Sequence, residues 1–443
     1  MLLLPPSLLE WLPEDHLALF IIDAVGQMDL SRFYAKRRPD GWGRAAFEPS
    51  MMVSLLLYAY CKGVTSSRKI EAACADDVAF RVISVNEQPD HATIARFRQA
   101  NEAEIKDLFI EALKLCAEAG LVKMGRVALD GTKFKANASL AANRSAKRIE
   151  EEVEKMLAEA KQVDAKEDDL FGRDGRGDEL PADLRRREKR LNRLRQCKER
   201  LEEQKRQAYE AQKKKIEARE AEQKATGRNK RGRKPKPPEE VAKQKEAAKA
   251  NVTDPDSRIL KTSKGYSQGY NAQAVVTENQ VIVAADITQE ENDVRQLQPM
   301  LKETQANREA TGIEEKVESC TADAGYWSED NIAQAKPDGP ELFVATTKDW
   351  KERKALRKAA APRGRIPSGA TAKERMDRKL LTKRGREIYK KRSQTVEPVF
   401  GQIKSRAAVF MRRGFAACRS EWSLLCATHN LLKLWRNGKL CPS

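Results

Sequence analysis

The sequence predicts a mixed α/β protein with a helical N-terminal domain, a second domain built on strands, and a long charged helical hairpin inserted into that second domain. Three observations predict it. Residues 1 to 120 read as a series of helices; short apolar runs ending in a lone carboxylate occur at GRVALD and again at KVESCTAD; and from residue 141 to 251 the composition shifts to Glu, Lys, Arg, Ala and Leu. The expected boundaries are 1–120 for the helical domain, 121–140 with 252–443 for the discontinuous strand-bearing domain, and 141–251 for the insertion.

At 443 residues the chain is too long for one ordinary core. Its formal charge of +18 and pI near 9.4 imply a polyanionic partner. The charge is concentrated: residues 141 to 250 carry 33 Lys and Arg against 24 Asp and Glu, and residues 348 to 392 carry 18 against 5. A solvated coil explains the first segment as well as a nucleic-acid surface does, because its signs are mixed; the second has few acids to offset it. Eight scattered cysteines without a C-x-x-C pair, and only three histidines, point to reduced thiols in a cytoplasmic protein rather than to a disulfide framework or a zinc site. The opening MLLLPPSLLEWLPEDH lacks a basic n-region and is interrupted by Pro5, Pro6, Glu10 and Asp15. Neither a signal peptide nor a membrane span is expected there.

In the N-terminal region, MMVSLLLYAY after Pro49 and Ser50 predicts a buried helix capped at Ser50, and residues 66–84 predict another. Asp90 is placed to cap the stretch beginning HATIARFRQAN, with Ile94, Phe97 and Ile105 on its apolar side and Arg96 and Arg98 on other faces. Short helices with tight turns suit a helix-turn-helix DNA reader, and they suit any small bundle equally. The insertion favours two long helices joined at the Gly-rich FGRDGRGD, and Ile149, Val153, Met156 and Leu157 give the first a narrow apolar seam. Beyond it, GRNKRGRKPKPP resembles an AT-hook, in which Arg231 and Arg233 flank a glycine that lets the backbone approach a narrow minor groove. A Pro-broken basic linker has the same composition.

After the insertion, AQAVV and QVIVAAD read as a β-hairpin turning at Thr277-Glu278-Asn279, and DVRQLQPMLKETQANREATG as a helix ending at Gly312. A short strand then runs into Asp323, a helix capped by Ser328 follows, ELFVATTKD makes a further strand, and the C-terminus is helical. Strand, insertion, hairpin, helix, strand, helix, strand is the order of an RNase H-like fold. In that order the first strand and the strand bearing Asp323 lie side by side, which brings Asp130 and Asp323 together. A third acid must arrive from a helix packed across the sheet, and Glu397 in YKKRSQTVEPVFGQIKSRA is the candidate. Singly, each acid has a plainer explanation: Asp130-Gly131 as a hairpin turn, Asp323 as a strand-ending turn residue, Glu397 as a solvated helix acid. Pro398 directly after Glu397 predicts that the helix begins or bends there. Trp422, Leu425, Leu432 and Leu434 form an apolar side expected to pack on the sheet, and His429 is expected to be packed and hydrogen-bonded rather than a ligand.

The segments DGTKFKANAS, GYNAQAVV, TADAGYWSEDN and YKKRSQTVEPVFGQIK, in this order, resemble the landmarks of bacterial insertion-sequence DDE transposases of the IS-five and IS-eleven-eighty-two kind. FEPSMMVSLLLYAYCKGVTSSRKIEAA and PDHATIARFRQAN are similar to that group's N-terminal domain. The resemblance implies that Asp130, Asp323 and Glu397 hold two Mg²⁺, replaceable by Mn²⁺, ~3.5–4 Å apart for phosphoryl transfer. It implies that Tyr389, Arg392 and Lys404 accompany the glutamate and, with Lys133, line up DNA phosphates. Four residues separate Arg392 from Glu397 where the usual signature has three. The implied partners are terminal inverted repeats and target DNA, engaged by a homodimer, with no membrane. A nuclease of the same fold that cuts without joining would carry the same acids, and a domesticated DNA-binding protein would keep the basic segments with its acids idle.

Overall fold

The computed structural model describes residues 7–36, 46–156, 158, 182–226, 234–262, 265–335 and 338–438. The chain forms two compact units, Met1–Lys135 with Tyr270–Ser443, and Ala136–Gly269.

The first unit opens with helices α1 (Leu17–Gly26), α2 (Ser31–Ala35), α3 (Pro49–Cys61), α4 (Ser67–Asp76), α5 (Val78–Ile83), α6 (His91–Ala100) and α7 (Glu102–Glu118). α3 is buried along almost its whole length. It starts at Pro49 rather than at a Ser50 cap, because the N–H that proline lacks is unpaired at a first helical position anyway. Residues 66–84 form two helices instead of one: Asp77 turns its carboxylate onto the N–H groups of Ala79 and Phe80 and starts a new helix. Asp90 caps α6 through the Thr93 N–H, and Asn101 then separates α6 from α7. Arg98 does not lie on an outer face. It is buried, donating to the Tyr60 hydroxyl at 2.9 Å and the Thr65 carbonyl at 3.0 Å, so its charge is spent inside the helical region. Strand β1 (Arg126–Lys135) follows and runs straight through Asp130-Gly131, which is therefore no hairpin turn.

The second unit contains β2 (Asn143–Ser145), helix α8 (146–156), α9 (Ala182–Thr226), α10 (Pro238–Glu246), β3 (Lys249–Asn251) and β4 (Arg258–Thr262). β2 and β3 pair antiparallel, with Arg144 opposite Ala250. Ile149, Leu194, Cys197, Leu201 and Ala250 make a small core with Val153 and Met156 packed against it, so the seam of α8 meets the first half of α9. α10 packs along α9 as well. Leu157, the FGRDGRGD turn, Arg231 and Arg233 lie outside the described residues.

β5 (Gly265–Thr277), whose first residues pair with β4, carries the chain back into the first unit. There follow β6 (Ile282–Thr288), α11 (Leu297–Ala310), β7 (Ser319–Ala322), α12 (Glu329–Ala333), β8 (Glu341–Val344), α13 (Trp350–Lys358), α14 (Ala372–Leu381), α15 (Lys383–Arg406) and α16 (Phe415–Arg436). The strand order in this unit is β6-β5-β1-β7-β8, antiparallel between β5 and β6 and parallel from β1 through β7 to β8. α16 packs on β6 and on α7, so the N-terminal helices share a core with the sheet rather than standing apart from it. Trp422, Leu425, Leu432 and Leu434 are buried in that core, and Trp422 donates its indole N–H to the Gln273 carbonyl at 3.1 Å. His429 is buried against the Gln280 carbonyl at 2.9 Å, and burial pushes its pKa down to about 4. α15 continues through Pro398 without restarting: the Gln394 carbonyl, left without a helical donor, accepts Gln280 Nε2 at 3.0 Å. Among the described residues no helix is long and apolar enough to cross a membrane.

Candidate active site

The sheet register sets the first two acids. β1 and β7 are parallel neighbours whose last partners are Leu129 and Ala322, and the next residue on each strand is Asp130 and Asp323. Adjacent strands lie about 4.8 Å apart, so the two carboxylates leave the sheet side by side. Asp130 Oδ1 accepts the Gly131 N–H at 2.8 Å, and Asp323 Oδ1 accepts the Gly325 N–H at 2.6 Å. Burial, with Asp323 adding to it, pushes the Asp130 carboxyl up to about 6 against the pull of Arg392. A carboxyl raised this far by burial, with a second acid and an arginine beside it, marks a candidate functional site.

α15 lays three of the expected residues over these acids. Arg392 donates Nη1 to Asp130 Oδ2 at 2.9 Å and reaches Glu397 Oε1 with Nη2 at 3.4 Å. Glu397 is 58% exposed, whereas Arg392 is 14% exposed. Lys404 donates to the Thr132 hydroxyl at 2.5 Å and to the Lys133 carbonyl at 3.1 Å, which ties α15 to the strand just beyond Asp130. Burial lowers the Lys404 pKa. Tyr389 is half-buried beside Arg392, and burial raises its pKa. Lys133 turns to the loop before α11, donating to the Glu291 carbonyl at 2.5 Å with Asp293 Oδ1 at 3.7 Å. Asp130, Asp323, Glu397, Lys133, Tyr389, Arg392 and Lys404 thus converge on one region, whereas Arg231 and Arg233 fall outside the described residues.

Residues the sequence reading passed over also converge here. Asp293 Oδ1 accepts Asn271 Nδ2 at 2.6 Å and Gln273 Nε2 at 2.9 Å, and Gln273 Oε1 accepts the buried Tyr326 hydroxyl. The signal was present: two amide residues spaced by two, on one face of the otherwise apolar strand GYNAQAVV, mark a polar site above the sheet. A cleft of about 650 Å³ opens beside Glu397, walled by Leu356, Leu380 and Leu381 and edged by Arg353, Arg386 and Lys390.

The donor set is all carboxylate oxygen near the strand ends, which suits a hard divalent cation rather than zinc or copper. As the side chains lie, no group of three or more His, Cys, Asp or Glu among the described residues is close enough to share an ion. Arg392 holds Asp130 and Glu397 instead, each by one nitrogen. In donor chemistry the residues suit such an ion: Asp130 and Asp323 are neighbouring strand-end carboxylates and Glu397 is an exposed carboxylate on α15.

Residues 6–100 match the Transposase domain (DUF772) family, and residues 350–435 match a Transposase DDE domain. The second match contains Glu397, Arg392, Tyr389 and Lys404. Comparison with curated proteins and with solved structures gives no match. The two transposase-domain matches, one near each end of the chain, support an insertion-sequence DDE transposase. Its function is that of a DNA transposase.

Proposed function

We propose that this transposase has an RNase H-like catalytic unit that cuts the ends of an insertion sequence and joins them to target DNA, with Asp130, Asp323 and Glu397 as its three metal-binding acids. The single observation that carries the reading is the parallel register that sets Asp130 beside Asp323, under an α15 that presents Glu397. The strand order β6-β5-β1-β7-β8 supports the fold assignment, since it has the antiparallel hairpin on one side of β1 and two parallel strands on the other. Residues 136–269 between β1 and the returning half of β5 serve as an insertion into that unit.

Asp130 and Asp323 would hold the divalent ion, Mg²⁺ or Mn²⁺, with Glu397 completing the set. When bound, such ions lower the pKa of an attacking water or DNA 3′-hydroxyl and stabilise the leaving oxygen. The chain's own residues do the positioning. Arg392, held against the acids, gives up its bonds to a phosphate that enters, and so trades an internal partner for the substrate. Lys404 keeps Thr132 in place and supplies positive charge along the strand beyond Asp130. Exposed Lys351, Arg353 and Lys354 on α13 extend the positive surface along which DNA is bound. Joining two element ends requires two such sites, hence a dimer on DNA.

The test is cleavage of a DNA fragment carrying the element's end. Alanine at Asp130, Asp323 or Glu397 should each abolish metal-dependent cleavage while leaving DNA binding in place, because phosphate contacts supply the affinity and the acids supply the chemistry. Full activity of any one of the three variants removes that acid from the site.

A further inference from the structure

Asp293 lies outside the expected triad, in the loop that leads into α11, yet it touches both acid-bearing strand exits. A Cβ on Gly131, the residue after Asp130, would stand 2.8 Å from Asp293 Oδ1 and 2.4 Å from Gln273 Nε2. A Cβ on Gly325, two residues after Asp323, would stand 3.2 Å from Asp293 Oδ2 and 2.8 Å from Asp323 Oδ1. One oxygen of Asp293 therefore lies by each exit: a side chain at Gly131 would collide with Oδ1, and one at Gly325 would crowd Oδ2.

The carboxylate is fixed from behind. Its Oδ1 takes the side-chain amides of Asn271 and Gln273 on β5, with the Lys133 ammonium at 3.7 Å. Asn271 is wholly buried and also donates to the Glu290 carbonyl at 3.2 Å, which holds the loop to the sheet. Gln273 in turn accepts the Tyr326 hydroxyl, so a chain of bonds runs from Asp293 through β5 to the segment just beyond Asp323. Oδ2 has no donor among the described residues and lies beside Gly325, two residues after Asp323. A carboxylate anchored by two amides of β5 and packed against the backbone of both exits can fix where the two strand acids stand.

We propose that Asp293 is a positioning residue for the Asp130–Asp323 pair: wedged between the two strand exits, it fixes how far apart the two carboxylates stand and hence how tightly they take a divalent ion. This rests on the proposed role of those two acids. Relaxing the wedge lets the exits drift, and a mis-spaced pair binds the ion more weakly without losing its chemistry.

The experiment measures Mn²⁺ binding to the full-length protein without DNA, by electron paramagnetic resonance of the free ion, alongside the Mn²⁺ concentration for half-maximal cleavage. Asp293→Ala should weaken binding about tenfold or more and raise the half-maximal concentration in step, with cleavage recovered at high Mn²⁺ and DNA affinity unchanged. Asp293→Asn, which keeps an acceptor for both amides, should fall between the wild type and the alanine variant, and it decides the matter if the alanine variant fails to melt cooperatively. Either folded variant binding Mn²⁺ as the wild type does overturns the proposal. Asp130→Asn and Asp323→Asn separate the two readings. If they abolish Mn²⁺ binding while the Asp293 variants are silent, only the positioning role fails; if they too bind normally, the acid pair itself is wrongly placed and the proposal falls with it.

Discussion

Asp130 and Asp286 are both strand carboxylates of one sheet paired with arginines from helices, and the two pairs are built differently. Asp286 on β6 meets Arg419 of α16 fork to fork, Nε on Oδ1 and Nη2 on Oδ2, both at 2.5 Å. Each charge there is spent on the other. Asp130 receives a single nitrogen of Arg392, whose second nitrogen goes to Glu397, and it has Asp323 beside it. One guanidinium divided between acids leaves negative charge over. A closed pair locks α16 to the sheet; an open one leaves a site for a cation. Sequence position alone does not distinguish them, because both acids follow short apolar runs.

The largest expected effects test that contrast directly. Glu397→Gln and Asp130→Asn keep the shape of the side chain and remove its charge, and each should lower the cleavage rate by about a thousandfold, as loss of a transition-state stabilising group does. Asp286→Asn should leave the rate within a few-fold and cost stability instead. The expected cost is about 1–2 kcal/mol in chemical denaturation, modest because Arg419 is partly exposed and can turn to water. A melting-competent but cleavage-dead Asp286→Asn protein, paired with an active Glu397→Gln protein, would exchange the roles assigned to the two pairs.

Much of this architecture is legible in the sequence because it rests on local signals. Apolar runs of strand length, the Asp90 and Ser328 caps and the amphipathic C-terminus each have a one-dimensional signature. The misses are of another kind. Arg98 looks like a surface cation until Tyr60, 38 residues away, supplies its partner. Pro398 looks like a helix break until Gln280, on a distant turn, satisfies the carbonyl it strands. Asp293 looks like an acid ahead of a helix, and only the bare Cα atoms of Gly131 and Gly325 show what it is pressed against. In each case the deciding partner comes from another part of the chain, where periodicity carries no information.

A smaller effect comes from the neighbourhood of the closed pair. Glu303 on α11 is half-buried, and burial, followed by the charge of Asp286, pushes its carboxyl up to about 7 against Lys106 and Arg419. The folded protein therefore holds a proton on Glu303 between its ordinary value of 4.5 and about 7, where the unfolded chain has released it. Stability must fall as pH rises through that window, by linkage. Glu303→Gln should remove this part of the slope and be more stable than the wild type at pH 8, on the order of 1–2 kcal/mol. Asp286→Asn should shrink the same slope, since it deletes the second cause of the shift. Thermal melting from pH 4 to 8 is the measurement, and identical slopes for wild type and Glu303→Gln would place the proton elsewhere.

The smallest expected effect asks what each arginine does when DNA arrives. In the open pair, Arg392 is held by two single bonds that a phosphate oxygen can replace. In the closed pair, Arg419 would have to abandon both oxygens of Asp286 at once. Counterion release makes the difference measurable: each phosphate neutralised contributes about 0.9 to the slope of log affinity against log salt for duplex DNA. Arg392→Gln should therefore reduce the slope by about one phosphate, and Arg419→Gln should leave it unchanged. Alanine at Lys351, Arg353 and Lys354 together sets the scale, with a reduction of up to about three phosphates if α13 lies along the backbone. The affinity lost by Arg392→Gln should be largest at low salt and shrink toward high salt, while Arg419→Gln follows the wild type throughout. An Arg392→Gln slope equal to the wild type would mean that this guanidinium stays on Asp130 and Glu397 in the DNA complex, and the open pair would then be a structural lock like its counterpart on β6.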